Sequence, residues 1–333
     1  MTRLAWIGWP YFSPGLPADR FAVQRLPLGP AEVLTWADIT RRFGGAPDLL
    51  VYADCSQPPP LLGLEDFPCP TVFCCIDSHI HGWYPAWAQA FDLCTVSLRD
   101  HLPRFLGRLG PEQLLWLPPR AEALPEADAL VAEADKTFDL LFVGKVDPAT
   151  TPGRVRFLEE LGAVFPGLHT CRGNFRTLFP RARLVLNVAE GGDLNFRVFE
   201  ALACGACLLT PAVGHGQEEL FGDGEHLFAY PAGDVAATRA MAEILLADPV
   251  RRAAVARQGY EAVRKLHGPV QRGEAFAGWL AGQPLADLVS GRLARRDRLR
   301  REALRLLYLH WAEALADDPR AALYLDQVRS WPR

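Results

Sequence analysis

Short apolar runs bounded by proline, glycine or polar residues recur along the first part of the chain: Leu4–Ile7, Phe21–Leu26, Leu49–Tyr52, Thr71–Ile76, Leu93–Ser97 and Leu114–Leu117. Runs of this length that are apolar on both faces read as strands buried in a parallel sheet. Helical patterns fall between some of them, at Ala31–Phe43 and Leu102–Leu109. The stretch 119–136 then turns to proline, alanine and acidic residues, which predicts a linker. A second alternating series follows: a strand at Phe138–Val143, a helix from Gly153 to Val164 and a strand near Leu168–Cys171. It continues with a strand at Leu184–Val188, a helix opening at Asn195 and ending at Gly205, and a strand at Cys207–Thr210. Helices at Val235–Leu246 and Val250–Lys265 close it. Alternating β and α elements imply parallel sheets with helices on their faces. The expectation is an α/β chain with a first domain over 1–118, a linker over 119–136, a second domain over 137–282 and a helical tail over 283–333.

Composition narrows the function classes. The 333 residues suffice for two separate cores, and half of them are hydrophobic. A net charge of −4 leaves no electrostatic footprint for nucleic acid or an anionic membrane. The apolar start Leu4–Trp9 is too short for a signal peptide, and no run approaches a spanning helix, so a soluble, cytoplasmic protein is expected. Cys204 and Cys207 have C-x-x-C spacing, but no further pair at metal-ligand spacing accompanies them. The tail is dense in arginine: Arg292, Arg295, Arg296, Arg298, Arg300, Arg301 and Arg305, interleaved with Leu293, Leu299, Leu304, Leu307 and Trp311. A solvated charged face over a core-facing stripe is the first reading. A partner surface or peripheral membrane contact is the sharper alternative.

The segment Val185–Pro211, VLNVAEGGDLNFRVFEALACGACLLTP, carries the most chemistry. It is a strand, a glycine-bearing loop, a helix and a second strand, with the loop at the carboxyl ends of the strands where open α/β sheets bind ligands. The N-terminus of that helix, at Asn195 and Phe196, offers unpaired N–H groups and partial positive charge to a phosphate. Glu200, inside the helix, is suited to accept hydrogen bonds from the two adjacent hydroxyls of a ribose. The plainer alternative is an (i, i+3) ion pair between Arg197 and Glu200.

The pattern N-x-R-x-F-E-A-x-A-C-G-A-x-L-L-T at Asn195–Thr210 resembles the donor-site motif of GT-B glycosyltransferases, nearest the branch called spore maturation protein CgeB-like. The resemblance implies two Rossmann-like domains facing a cleft, and transfer of a sugar from a nucleotide-sugar, a UDP-sugar by family habit, to a glycan or protein acceptor. Metal independence and retention of configuration are implied with it, with no cofactor beyond the co-substrate. In that family a Glu-x7-Glu motif is usual, and its second glutamate binds the ribose; Glu200 matches it. The first would fall at Gly192, where this chain departs, with Glu190 or Asp193 as substitutes. Gly144 and Lys145, after a strand ending F-V-G, match a loop that touches the donor phosphates, and Arg154 matches a position facing the cleft. Arg172 and Gly173, in Cys171-Arg-Gly-Asn174, resemble the turn that contacts the base. Asp193, Asn195, Phe196 and Arg197 complete the expected donor set.

From the first domain, Asp77 and His79 in Cys75-Ile-Asp-Ser-His-Ile-His81 follow a strand and are the candidate acid–base or orienting groups. A structural role for each histidine is the alternative. Competing classes fail on spacing. Gly214-His-Gly216-Gln-Glu-Glu219 lacks the third glycine of a dinucleotide loop, and no G-x-S-x-G occurs. A GT-B scaffold without catalysis, binding a nucleotide or a partner, stays open because the first glutamate is missing.

Overall fold

The computed structural model describes residues 1–331. The chain divides into two compact units, one formed by Met1–Pro118 together with the chain from Gly273 onward, the other by Pro119–Arg272.

The first unit holds β1 (Thr2–Gly8), β2 (Phe21–Leu26), β3 (Leu49–Ala53), β4 (Thr71–Cys75), β5 (Leu93–Val96) and β6 (Leu114–Trp116). They form one parallel sheet in the order β2-β1-β3-β4-β5-β6. Every residue of β3, β4 and β5 is buried, which is why these strands read as continuous apolar runs. The expected helix Ala31–Phe43 starts later, at Trp36. Thr35 and Asp38 form a reciprocal cap there, with Asp38 N donating to Thr35 Oγ1 at 3.3 Å and Thr35 N to the Asp38 carboxylate at 3.0 Å. The expected helix Leu102–Leu109 is instead a 3-10 segment, Arg99–Phe105, containing Pro103, which lacks the N–H a continuing helix needs.

The C-terminal helices are part of the first unit's core. Leu304, Leu307, Tyr308, Tyr324 and Val328 are buried with Ile7, Tyr52, Phe73 and Trp87. The arginines of this segment therefore do not form one solvated face. Arg292 is wholly buried: Nε donates to Asp92 at 2.9 Å, Nη1 to Leu64 O at 2.7 Å, and Nη2 to Phe67 O and Cys69 O at 2.8 and 3.0 Å. Arg300 pairs with the buried Glu65 at 3.0 Å, and also with Asp66 and Asp297. The first reading, one solvated charged face, is corrected for Arg292 and Arg300, which are spent inside the fold. Among the described residues no helix is long and apolar enough to cross a membrane.

The second unit holds β7 (Phe138–Val143), β8 (Leu168–Cys171), β9 (Ala182–Leu186), β10 (Leu208–Pro211) and β11 (Phe228–Tyr230), all parallel in the order β11-β10-β9-β7-β8. Strand β9 begins two residues before its predicted start, with Val185 opposite Leu208. The stretch expected as a linker straps onto this unit. Ala121 N donates to His267 O at 3.1 Å, Leu124 N to Ala203 O at 3.0 Å, and the Tyr260 hydroxyl to Leu124 O at 2.7 Å. Gly205, at φ +67, lets that strap pass: a Cβ there would lie 2.5 Å from Ala129 O.

Candidate active site

Both sheets reverse their strand order once, between β1 and β3 in the first unit and between β7 and β9 in the second. In open α/β sheets a crevice forms outside the carboxyl ends of the strands at such a reversal, because the two connections leave to opposite faces. The loop after β7 carries Gly144 and Lys145, and the loop after β9 carries Glu190 to Asn195. The structure therefore brings these sequence-predicted residues to one switch point.

Arg197 is the pivotal group there. It lies in the first turn of the helix Phe196–Ala203, and its guanidinium stacks on the Phe142 ring, 4.9 Å from the centroid. Nε is fully buried and has no hydrogen-bond partner, and Arg197 makes no ion pair among the described residues. The alternative of an Arg197–Glu200 ion pair is thus not formed. Burial, helped by the nearby Arg154 charge, pushes the Arg197 guanidinium down to about 10. Gly144 makes room for it: a Cβ would stand 2.7 Å from Arg197 Nη2 and 3.2 Å from the Phe142 ring. The glycine was expected to admit a phosphate; in the unliganded chain the neighbour it admits is an arginine.

Arg154 is held from its other side, donating to Lys145 O at 3.0 Å and Val188 O at 3.2 Å. Its own helix, Pro152–Val164, begins on the Glu190 carboxylate, which accepts from Gly153 N at 2.9 Å and Arg154 N at 2.7 Å. Glu190 is thereby engaged as a helix N-terminal acceptor, complementing the dipole. Lys145 is half exposed and pairs with Asp147 at 2.8 Å, a contact that holds the Asp147 carboxyl down to about 2. Arg172 and Gly173 are exposed at the end of β8, where Asn174 caps the short helix Phe175–Leu178.

Asn195 is the N-cap residue of the Arg197 helix but gives it no side-chain cap. Its Nδ2 donates to Asn187 Oδ1 at 3.2 Å, and its own Oδ1 is buried without a partner. Asn187, which is 1 % exposed, donates in turn to Thr210 Oγ1 at 3.0 Å, and its carbonyl accepts from the Tyr230 hydroxyl at 2.7 Å. This buried polar chain links three neighbouring strands and fixes the loop carrying Asp193. Sequence reasoning missed it, although an asparagine inside the apolar run V-L-N-V was the available signal. Glu200 is largely buried and makes no side-chain hydrogen bond or ion pair among the described residues, and burial raises its carboxyl.

In the first unit the loops after β3 and β4 converge on Asp54, which is 3 % exposed and was not singled out from sequence. Its carboxylate accepts from Ser56 N at 2.8 Å, Ile76 N at 3.1 Å and Asp77 N at 2.8 Å, and from the Tyr84 hydroxyl. Asp54 thereby pins the turn that presents Asp77 and His79. The Asp77 carbonyl accepts from Ile80 N and His81 N, each at 3.0 Å. His81 Nε2 lies 2.7 Å from Ser56 Oγ, and burial lowers the basicity of its ring. The sequence signal for Asp54 was an acid directly after an apolar strand.

Residues 136–278 match the model of the glycosyl transferase-like family. No curated protein matches the sequence. Solved structures resemble the fold. The Anabaena protein HepE, solved with UDP and glucose, superposes with a TM-score of 0.58 at 11 % identity, covering 85 % of this chain and all of its own. Sucrose-phosphate synthase of Thermosynechococcus elongatus gives 0.56 at 13 % identity, over 85 % of this chain and all of its own. A UDP-forming α,α-trehalose-phosphate synthase of Burkholderia xenovorans gives 0.53 at 11 % identity, over 74 % and 77 %. At these identities the superpositions speak to architecture, which is GT-B, while the family match speaks to the second unit. The chain thus has a GT-B architecture, and its second unit matches a glycosyl transferase-like family.

Proposed function

We propose that the chain transfers a sugar from a uridine diphosphate sugar to a glycan or protein acceptor, without a metal and with retention of configuration, as the CgeB-like resemblance implies. The observation that carries this reading is Arg197, whose Nε is buried without a partner and whose half-buried guanidinium meets no acid among the described residues. A buried cation left unpaired is costly, and an anionic ligand repays that cost when it binds. As the glycosidic bond breaks, the leaving diphosphate gains negative charge. Arg197, Arg154 and the N-terminus of the helix Phe196–Ala203 are arranged to stabilise it. Lys145 joins them by exchanging its contact with Asp147. Glu200, without an internal partner, accepts from the ribose hydroxyls, and Arg172 and Gly173 border the base. Asp193, Asn195 and Phe196 shape the loop and helix entrance. Asp77 and His79, on the turn pinned by Asp54, orient or deprotonate the acceptor hydroxyl.

A second reading is a nucleotide-binding scaffold without transfer. Gly192 stands where the family's first glutamate would be, with φ +70 and no atom within 4 Å of a Cβ, and Glu190 is engaged as a helix cap. A thermal-shift series with UDP, GDP, dTDP and CMP and their sugar conjugates separates the readings. A shift with the uridine compounds that vanishes in Glu200→Ala, followed by UDP release with acceptor, supports transfer. Binding without turnover on any acceptor supports the scaffold, and no shift with any nucleotide sinks both.

A further inference from the structure

A cavity of about 500 Å³ lies within the first unit. One wall is the loop after the 3-10 segment Arg99–Phe105. The other is one face of the C-terminal helical run, where Arg295, Leu299 and Glu302 follow at helical spacing. The helix widens there into a π-turn, Arg300–Leu304, a departure that costs regular hydrogen bonding and recurs at functional sites.

The charges around this cavity do not balance. Arg104, Arg108, Arg295 and Arg298 line it against a single carboxylate, Glu302, which is taken by Arg298 at 2.7 Å. Arg104 donates to Ser78 O at 3.2 Å and lies 3.3 Å from His101 Nδ1, but meets no acid. Arg295 makes no side-chain contact of any polar kind among the described residues. Arg108 is fixed by Gln89, whose carbonyl accepts from Nε at 2.5 Å, and its Nη2 is buried with no acceptor. Burial, with Arg292 and Arg295 nearby, pushes that guanidinium down to about 10. Three uncompensated arginines around one cavity, one of them anchored and presenting a buried donor with nothing to bind, describe an anion site. Leu106, exposed at 47 %, and Leu299 give the same cavity an apolar edge.

We propose that this cavity binds a phosphate-bearing ligand, its anionic group held by Arg108 and Arg295 and its apolar part lying along Leu106 and Leu299. Guanidinium forks match phosphate oxygens in pairs, which distinguishes this wall from a lysine patch. The ligand is a soluble phosphomonoester or the headgroup of a lipid, and the two are separable.

The test uses the full chain with saturating UDP present, so that phosphate binding in the second unit does not contribute. sn-Glycerol 3-phosphate is titrated calorimetrically, and cosedimentation is measured with phosphatidylglycerol/phosphatidylcholine vesicles against phosphatidylcholine alone. Arg295→Glu removes a cavity charge. Arg301→Glu makes the same change of net charge in the same helical run, outside the cavity. Saturable binding of the soluble probe that weakens at least tenfold in Arg295→Glu and persists in Arg301→Glu supports a small-molecule site. The same pattern confined to anionic vesicles supports a headgroup site. Arg108→Gln, read by the same titration once its melting curve matches the parent, should weaken binding likewise. Equal weakening in Arg295→Glu and Arg301→Glu, or binding of neither probe, overturns the proposal. None of these outcomes depends on whether UDP is a substrate.

Discussion

Two arginines in this chain sit in opposite surroundings, and replacing each by methionine tests whether Arg197 serves a ligand while Arg292 serves the fold. Arg292 has a carboxylate and three carbonyls around it and is 0 % exposed. Arg292→Met leaves Asp92 buried and unpaired, which typically costs ~3–5 kcal/mol. For a chain of this size that lowers the melting temperature by roughly 6–20 °C. Arg197 has no acceptor, and burial holds it at about 10 against an ordinary 12.5. That corresponds to roughly 3 kcal/mol of disfavoured charge, about halved by its partial access to solvent. Methionine removes this penalty and forfeits the stacking on Phe142, worth about 1 kcal/mol. Arg197→Met should therefore melt at or slightly above the parent, within about +4 °C. UDP at a hundred times its dissociation constant stabilises the parent by ~2.7 kcal/mol, and this gain should vanish in Arg197→Met while persisting in any folded Arg292→Met. Differential scanning fluorimetry with and without UDP reads all four numbers. A melting temperature for Arg197→Met as low as that of Arg292→Met, or an undiminished UDP shift, refutes the reasoning.

Gly144→Ala places a Cβ against Arg197 Nη2 and should weaken UDP binding about tenfold, ~1.4 kcal/mol, with little change in melting temperature; calorimetric titration checks it. His267, 5 % exposed, is held to about 4 by burial and by Arg272, whose Nη2 donates to its Nδ1 at 2.9 Å. Its folded state binds fewer protons than the unfolded chain between pH 4 and 6.5, so its contribution is complete above pH 6.5 and is lost as pH falls toward 4. His267→Phe should flatten the denaturant midpoint over that window by an amount on the order of 3 kcal/mol at most; an unchanged slope rules this out. Asp77→Asn and His79→Ala should lower turnover by about 10²–10⁴-fold while leaving the UDP melting shift intact, and loss of that shift would place them in donor binding instead.

What the sequence by itself determined here is local. The strands Phe21–Leu26 and Leu168–Cys171 and the helix Val235–Leu246 lie where periodicity put them, because burial on fixed faces writes its period into neighbouring residues. Asn195 as the entrance of the Arg197 helix was legible from the local residue pattern, although its side chain turns to Asn187 instead of capping. The tertiary structure decided everything that depends on which distant segments meet. The order β11-β10-β9-β7-β8 creates the switch point that gathers Gly144 and Arg197, and Asn187 became a structural link only once β9 lay beside β10. The run of arginines in the C-terminal segment looks uniform as sequence, yet Arg292 is sealed in the core, Arg300 is tied to Glu65, and Arg295 is left at a cavity without an acid. A charged side chain's role is set by the acceptors around it. For Arg292 those acceptors lie 200 to 228 positions away along the chain, where no local pattern can announce them.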